Sequence, residues 1–329
     1  NTVSGAWDNK NTPNLIANSS TMRNHPAARV VTDSDMPLDP TAGASRRPSD
    51  RRNNMGTLII GFMTHLGTVA ALARYPVKGM QGEQLNASVV TGGGLAGDRA
   101  FALIDGEGKI GTPKLPRKWA GLLQSRSRYL AEPDAHYQPP AQITLPDGER
   151  VMSDDSEVNL RLSRMVGRDV TVISEKPAGL VLESPPLGQV PDDDNGPLLQ
   201  LPVPNGFFDL GSLHLLTTAT LAALREVNPG VRFEPRRFRP NIIVQTPDGV
   251  SGFTENDWQG KTIAIGDDVR IRVTMPTIRC VVTTMPQDDL PYEPAVLKAS
   301  AQHNNAFVGV YAMVEQGGAI RIGDAVSLV

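Results

Sequence analysis

The sequence predicts a mainly β protein with some α, whose C-terminal half forms an antiparallel, barrel-like sheet. Three observations predict it. The 329 residues include 27 prolines and 31 glycines with only 5% aromatics, which favours short strands joined by many turns. Short apolar runs alternate with polar residues, and regular strand–helix alternation of the doubly wound kind is missing. A related phrase also occurs twice, as Ile263-Ala264-Ile265-Gly266-Asp267-Asp268-Val269 and Ile320-Arg321-Ile322-Gly323-Asp324-Ala325-Val326. Each copy reads as strand, tight connection, strand.

Residues 1–66 are rich in Asn, Ser, Thr, Pro and Arg, and show no sustained apolar period. Such composition buries too little surface to offset chain entropy, so this stretch is expected to be disordered or an upstream extension, with Met63 a plausible natural start. Removal of residues 1–62 is expected to leave stability nearly unchanged. From Val69 to Lys78 the text reads as a strand ending at Pro76, followed by a second candidate from Gln84 to Thr91. Gly92-Gly93-Gly94 turns the chain into an apolar strand, Ala100–Asp105, and Gln142–Leu145 leads into the turn Pro146-Asp147-Gly148.

A helix is expected over 155–166, capped by Asp154 with Glu157 three residues on, and with Val158, Leu162, Met165 and Val166 on one face. Residues 184–206 are rich in Pro and Asp and read as a long loop, a boundary or a lid. Thr217 or Thr218 then caps a short helix with Leu221 and Leu224 inward, stopped by Asn228-Pro229-Gly230. The expected division is an extension to 66, an N-terminal β domain over 67–183, a linker over 184–206 and a C-terminal domain over 207–329.

The net charge of −3 argues against a nucleic-acid binder. No apolar run approaches the roughly 18 residues of a spanning helix. Arg51-Arg52 before Leu58–Phe62 imitates a signal peptide, but cleavage near Ala71-Leu72-Ala73 would discard the first strand, so a cytoplasmic protein is expected. The five histidines show no ligand spacing, and neither a P-loop nor a dinucleotide fingerprint is present.

Cys280 is the only cysteine, which excludes an internal disulfide and a cysteine-ligated cluster. It can be an inert packed side chain, a nucleophile or a soft ligand. Arg279 precedes it, and Arg236-Arg237-Phe238-Arg239-Pro240-Asn241 lies about 40 residues upstream. Guanidinium groups favour thiolate, and thiolate suits soft metals. Arg237 is expected to face elsewhere than Arg239, on the argument that strand neighbours alternate.

In order along residues 68–329, the chain carries Tyr75-Pro76-Val77-Lys78, Gly94-Leu95-Ala96-Gly97-Asp98-Arg99, Arg237–Val244, Phe253–Trp258, Arg279-Cys280 with Thr283-Thr284, and Ile322-Gly323-Asp324. This series resembles the MOSC family, and within it the two-part proteins that include the mitochondrial amidoxime-reducing components and bacterial relatives. The resemblance implies an N-terminal MOSC β-barrel region and a C-terminal MOSC domain. It implies molybdenum cofactor (a molybdopterin), with Cys280 as catalytic metal ligand. Lys78, Arg99 and Arg239 would hold the cofactor's anionic end, with Thr217, Thr218, Asn241 and Arg279 as further contacts. Pyridoxal phosphate binding is a further family-level property.

The implied activity is reduction of small N-hydroxylated compounds, with electrons from a separate ferredoxin, flavin or haem protein; the alternative is a carrier of the cofactor without turnover. Residue by residue other readings stay open. Lys78 can be a solvated strand end, Arg99 can pair only with Asp98, and Thr217 can be only a helix cap. The sequence departs from relatives at Gly79, often Ser there, at Thr277-Ile278, and at Gly309-Val310-Tyr311-Ala312, which puts a contact from Tyr311 in doubt.

Overall fold

The computed structural model describes residues 64–186, 197–203 and 206–329. The expected extension therefore lies outside the described residues, except for 64–66, which begin the first strand. The main body is a closed barrel of seven strands: β1 Thr64–Arg74, β2 Leu213–Thr217, β3 Ile242–Gln245, β4 Thr262–Ile265, β5 Val269–Ile278, β6 Phe307–Gln316 and β7 Ala325–Leu328. Their order is β3-β2-β6-β5-β4-β7-β1, and β1 closes the ring by pairing with β3. All neighbours are antiparallel except β2 and β3, which run parallel. The barrel is thus not built from 207–329 alone, because β1 supplies its closing strand.

Alternation explains the barrel interior. Val69, Leu72, Leu215, Ile242, Val244, Ile263, Ile265, Ile271, Val273, Val310 and Val326 are buried together, each contributing roughly 1.5–3 kcal/mol when fully withdrawn from water. A parallel pair needs a crossover, and α2, Thr218–Val227, supplies it with Leu221 and Leu224 buried as the sequence predicts. Helix α1, Val158–Val166, begins three residues later than expected. Asp155 rather than Asp154 organises its entry, accepting the Glu157 N–H at 2.9 Å. Around α1 a second core gathers Val77, Met80, Phe101, Leu103, Trp119, Leu122, Ile143 and Leu162. It is covered by a three-stranded sheet, Arg126–Tyr129, Ala141–Thr144 and Arg150–Met152, and by the pair Ala102–Asp105 and Val170–Ile173.

The twin phrases do different things. In the first, Ile265 pairs with Val269 across a tight turn, so β4 and β5 form the expected hairpin. In the second, Gly318–Arg321 pairs with Ala87–Thr91, whereas β7 joins the barrel. Local pattern fixes the turn, where Asp324 accepts the Arg321 N–H at 2.9 Å, but not the partner of either arm. Within the expected 184–206 loop, Leu199–Pro202 is a strand paired with Val181–Ser184, and 187–196 lie outside the described residues. Among the described residues no helix is long and apolar enough to cross a membrane.

Candidate functional site

Strand β5 ends at Ile278, and the Arg279 N–H is tied to the Ala306 carbonyl at 2.8 Å. Cys280, in extended conformation, then opens a short 3₁₀ turn, Val281–Thr284. Its carbonyl accepts the Thr283 N–H at 3.2 Å and the Thr283 hydroxyl at 3.0 Å, which fixes the backbone under the thiol. One side of the side chain packs near Leu123, Val281, Val282 and Met285, yet it stays partly exposed and its sulfur makes no hydrogen bond among the described residues.

Two arginines lie on one aromatic ring. The Arg99 and Arg239 guanidinium carbons sit 4.4 Å and 4.3 Å from the centre of the Tyr75 ring, where the ring quadrupole favours cations. Both residues adopt left-handed backbone, at φ 48° and 55°, a conformation that a side chain holds only where its surroundings fix it. Asp98 is part of what fixes it. It accepts the Tyr75 N–H at 2.7 Å and the Asn241 amide at 2.9 Å, and pairs with Arg99. Asn241 in turn accepts the His214 N–H at 3.1 Å, linking this corner to β2.

Arg239 stands out by what it lacks. Its guanidinium makes no hydrogen bond or ion pair with the described residues. Burial first, and then repulsion from Arg99, push it down to about 10. Arg279 donates to the Phe238 carbonyl at 2.7 Å, but its Nε is buried without a partner. Burial also lowers Arg279, against the pull of Tyr311 and Cys280.

Lys78 and Lys114 converge on Asp209. Lys78 donates to one carboxylate oxygen and to the Phe207 carbonyl at 2.8 Å, while Lys114 sits 2.9 Å from the other oxygen. Burial works to raise Asp209, but the two ammonium groups outweigh it and hold the carboxyl far below its usual range. Burial lowers Lys78, whereas Lys114 is held above its ordinary value because Asp209 and then Cys280 outweigh burial. Cys280 directly follows Arg279, whose guanidinium reaches the Phe238 carbonyl beside Arg239, so the thiol adjoins this group along the chain. Five cations, Lys78, Arg99, Lys114, Arg239 and Arg279, thus share two carboxylates, Asp98 and Asp209. That donor set suits a polyanion, with planar forks from arginine and point charges from lysine.

The structure therefore brings Lys78, Arg99, Arg239, Arg279 and Cys280 together. Asn241 is adjacent, but its amide is occupied by Asp98, the Ala73 carbonyl and the His214 N–H. Thr217 and Thr218 are engaged elsewhere. Thr217 caps α2 by accepting the Thr220 N–H at 3.1 Å and donates to buried Glu255 at 2.6 Å. Thr218 accepts the Thr246 N–H at 3.1 Å.

The strand argument for Arg237 and Arg239 needs correction. Pro235–Phe238 is a short helix, α3, and Arg239 ends it. Arg237 is fully buried and donates to four carbonyls, those of Arg232, Thr283, Met285 and Pro291. It braces the turn after Cys280 from behind. Sequence reasoning missed Lys114 and Asp209, whose surroundings, Thr112-Pro113-Lys114 and Phe208-Asp209-Leu210, carry no periodic signal.

Two glycines in the segments that depart from relatives have a physical reason. Gly79 has φ 84°, and a Cβ there would lie 3.1 Å from Pro113, so glycine lets the Lys78 and Lys114 segments pass closely. At Gly309 a Cβ would come within 2.3 Å of the His214 ring and 2.4 Å of the Leu215 carbonyl, so only glycine lets β6 close on β2 there.

Comparison with known proteins comes from two domain families and a few solved structures. The MOSC domain model matches residues 207–327, and the MOSC N-terminal beta barrel domain model matches residues 66–133. No curated protein matches the chain. Among solved structures, the YUAD protein from Bacillus subtilis is similar at 11% identity, over 81% of this chain and 98% of that one, with a TM-score of 0.39. YiiM from Geobacillus stearothermophilus is similar at 22% identity, over 36% of this chain and 54% of that one, with a TM-score of 0.28.

Proposed function

Because the chain belongs to the MOSC-domain family and carries that family's N-terminal β-barrel domain, which makes it a molybdenum-cofactor-related protein, we propose that it is a molybdenum-cofactor-dependent reductase of small N-hydroxylated compounds. The observation that carries the proposal is the unpaired Arg239 guanidinium within a surplus of recessed cations beside a partly exposed thiol.

The residues fit such a cofactor. Arg239 and Arg279 have hydrogen-bonding capacity that no protein group uses, and Cys280 offers the soft donor that a molybdenum centre takes. In this reading Lys78, Arg99, Arg239 and Arg279 would hold the anionic pterin end, and Cys280 would ligate the metal. When bound, the cofactor supplies the two-electron, oxygen-removing chemistry. The chain's own residues then bind, orient and screen. Tyr75 holds the two arginines flat, the Asp98–Asn241 pair holds Tyr75, and Arg237 keeps the Cys280 turn in place. The net reduction consumes two electrons and two protons and releases water, so a separate cytoplasmic ferredoxin, flavin or haem protein delivers the electrons.

For a nucleophilic Cys280, His214 is a poor base. His214 is kept neutral, held down to about 3 by burial and then by Arg279, and one ring nitrogen bonds the Val308 carbonyl at 3.1 Å. The test is metal analysis of protein from a cofactor-producing host, followed by benzamidoxime turnover with an artificial reductant. Molybdenum content with turnover is the expected result. Molybdenum without turnover would instead assign the cofactor-carrier role.

A further inference from the structure

The reading above uses Lys78 but gives no role to its neighbours Lys114 and Asp209. Lys78 and Lys114 each take a different oxygen of one carboxylate, that of Asp209, the second contact at 2.9 Å. Two ammonium groups spaced to share two oxygens on one atom match any oxyanion of that shape. The three partners are not equally fixed.

The lysine side chains are only 8% and 14% exposed, whereas that of Asp209 is 33% exposed. Lys78 is held by the bond from its own N–H to the Phe101 carbonyl at 2.8 Å and by its ammonium bond to Phe207. The Lys114 segment packs against Gly79 through Pro113, and Leu115 beside it is fully buried. Asp209 instead rides on residues 206–212, which belong to no helix or strand and begin at Gly206 with φ 70°. The carboxylate is the member free to leave.

We propose that Lys78 and Lys114 form a subsite for a ligand presenting two anionic oxygens on one atom, a phosphate or a carboxylate, and that Asp209 is the resident counter-ion which this ligand displaces. The inference deepens the reading of the pocket as an anionic-cofactor site and rests on it for the ligand's biological identity. Lys114 is then a binding residue, and the 206–212 loop is the part that yields on binding. Displacement keeps the ammonium pair neutralised in both states, so the lysines are never left as uncompensated recessed charges.

Calorimetric titration of the full chain with inorganic phosphate, and separately with benzoate, tests this. Asp209→Asn should bind at least one probe about tenfold more tightly than the unaltered chain, a difference of about 1.4 kcal/mol. Adding Lys114→Met to that variant should remove the gain. Asp209→Ser repeats the test should asparagine disturb the loop, and melting curves with and without probe report that each variant is folded. No gain in either Asp209 variant, or a gain that survives Lys114→Met, overturns the proposal.

A gain with phosphate assigns the subsite to a phosphate-bearing cofactor, and a gain with benzoate alone assigns it to an acidic substrate. Both support it. Cys280→Ala should keep the gain while losing molybdenum, so failure of the subsite and failure of the metal reading give different results.

Discussion

The two ends of β2 are both buried and polar, and they differ in one respect. At the His214 end the strand adjoins five cations set against two carboxylates, with the Arg239 guanidinium making no hydrogen bond or ion pair among the described residues beyond its stacking on Tyr75, and Arg279 Nε unbonded. At the Thr217 end one oxygen of Glu255 takes the hydroxyls of Thr217 and Thr220 at 2.6 Å and 2.7 Å. Burial raises Glu255 above the usual carboxyl range despite these bonds, so that end disfavours charge instead of gathering more. One end holds charge in excess of its protein partners, the other suppresses it. Uncompensated recessed charge is expensive, which is what makes the His214 end the candidate site for an anionic ligand.

The sharpest way to break this contrast is Cys280→Ala. The thiol is partly exposed and belongs to a small apolar cluster, so stability should change by no more than about 1 kcal/mol. Molybdenum content and turnover should fall to background. Activity equal to the unaltered chain would remove the reason for linking the cations to a metal.

Next in size is the pair Arg237→Ala and Arg239→Ala. Loss of the Arg237 guanidinium leaves four carbonyls without their donor and a void behind the turn, a cost of about 3 kcal/mol. Arg239→Ala breaks no hydrogen bond, so stability should stay within about 1 kcal/mol while cofactor retention drops. Thermal midpoints and metal content separate them, and equal effects on both readouts would erase the distinction between bracing and binding.

Thr217→Val sharpens the other end. It removes a helix cap and a bond to Glu255, at a cost of about 1–2 kcal/mol, with metal content unchanged. A loss of metal out of proportion to the loss of stability would make Thr217 a cofactor contact after all.

Much of this contrast could be read from the residues, but unevenly. The barrel strands follow from alternation, and α2 from its cap and apolar face, because each is a local pattern with a local cause. The second Gly-Asp phrase shows the limit: its arms pair with Ala87–Thr91 and with β1 and β4, choices made by distant chain. In the pocket, Arg239 and Cys280 lie in recognisable phrases, whereas Lys114 and Asp209 become partners only when three loops meet. Arg237 and Arg239 differ because Arg237 lies within a short helix that Arg239 ends; on a strand, residues two apart share a face, so alternation could not have separated them. Thr217 illustrates the converse, a residue whose capping role and binding role have the same sequence signature.

The last effect is one of pH alone and concerns His214, at the cation-bearing end of β2. Its imidazole is held down to about 3, by burial first and Arg279 second, against about 6.5 in an unfolded chain. A depressed histidine binds more protons unfolded than folded, so its contribution to stability is complete above about pH 6.5 and is lost as pH falls toward 3. The slope from this one group cannot exceed about 1.4 kcal/mol per pH unit. His214→Gln removes the titration, so the fall in thermal midpoint between pH 7 and pH 4 should be shallower in the variant, whatever its midpoint at pH 7. An identical slope in both proteins would mean that the acid sensitivity lies elsewhere, and that a positive neighbourhood does not keep this ring neutral.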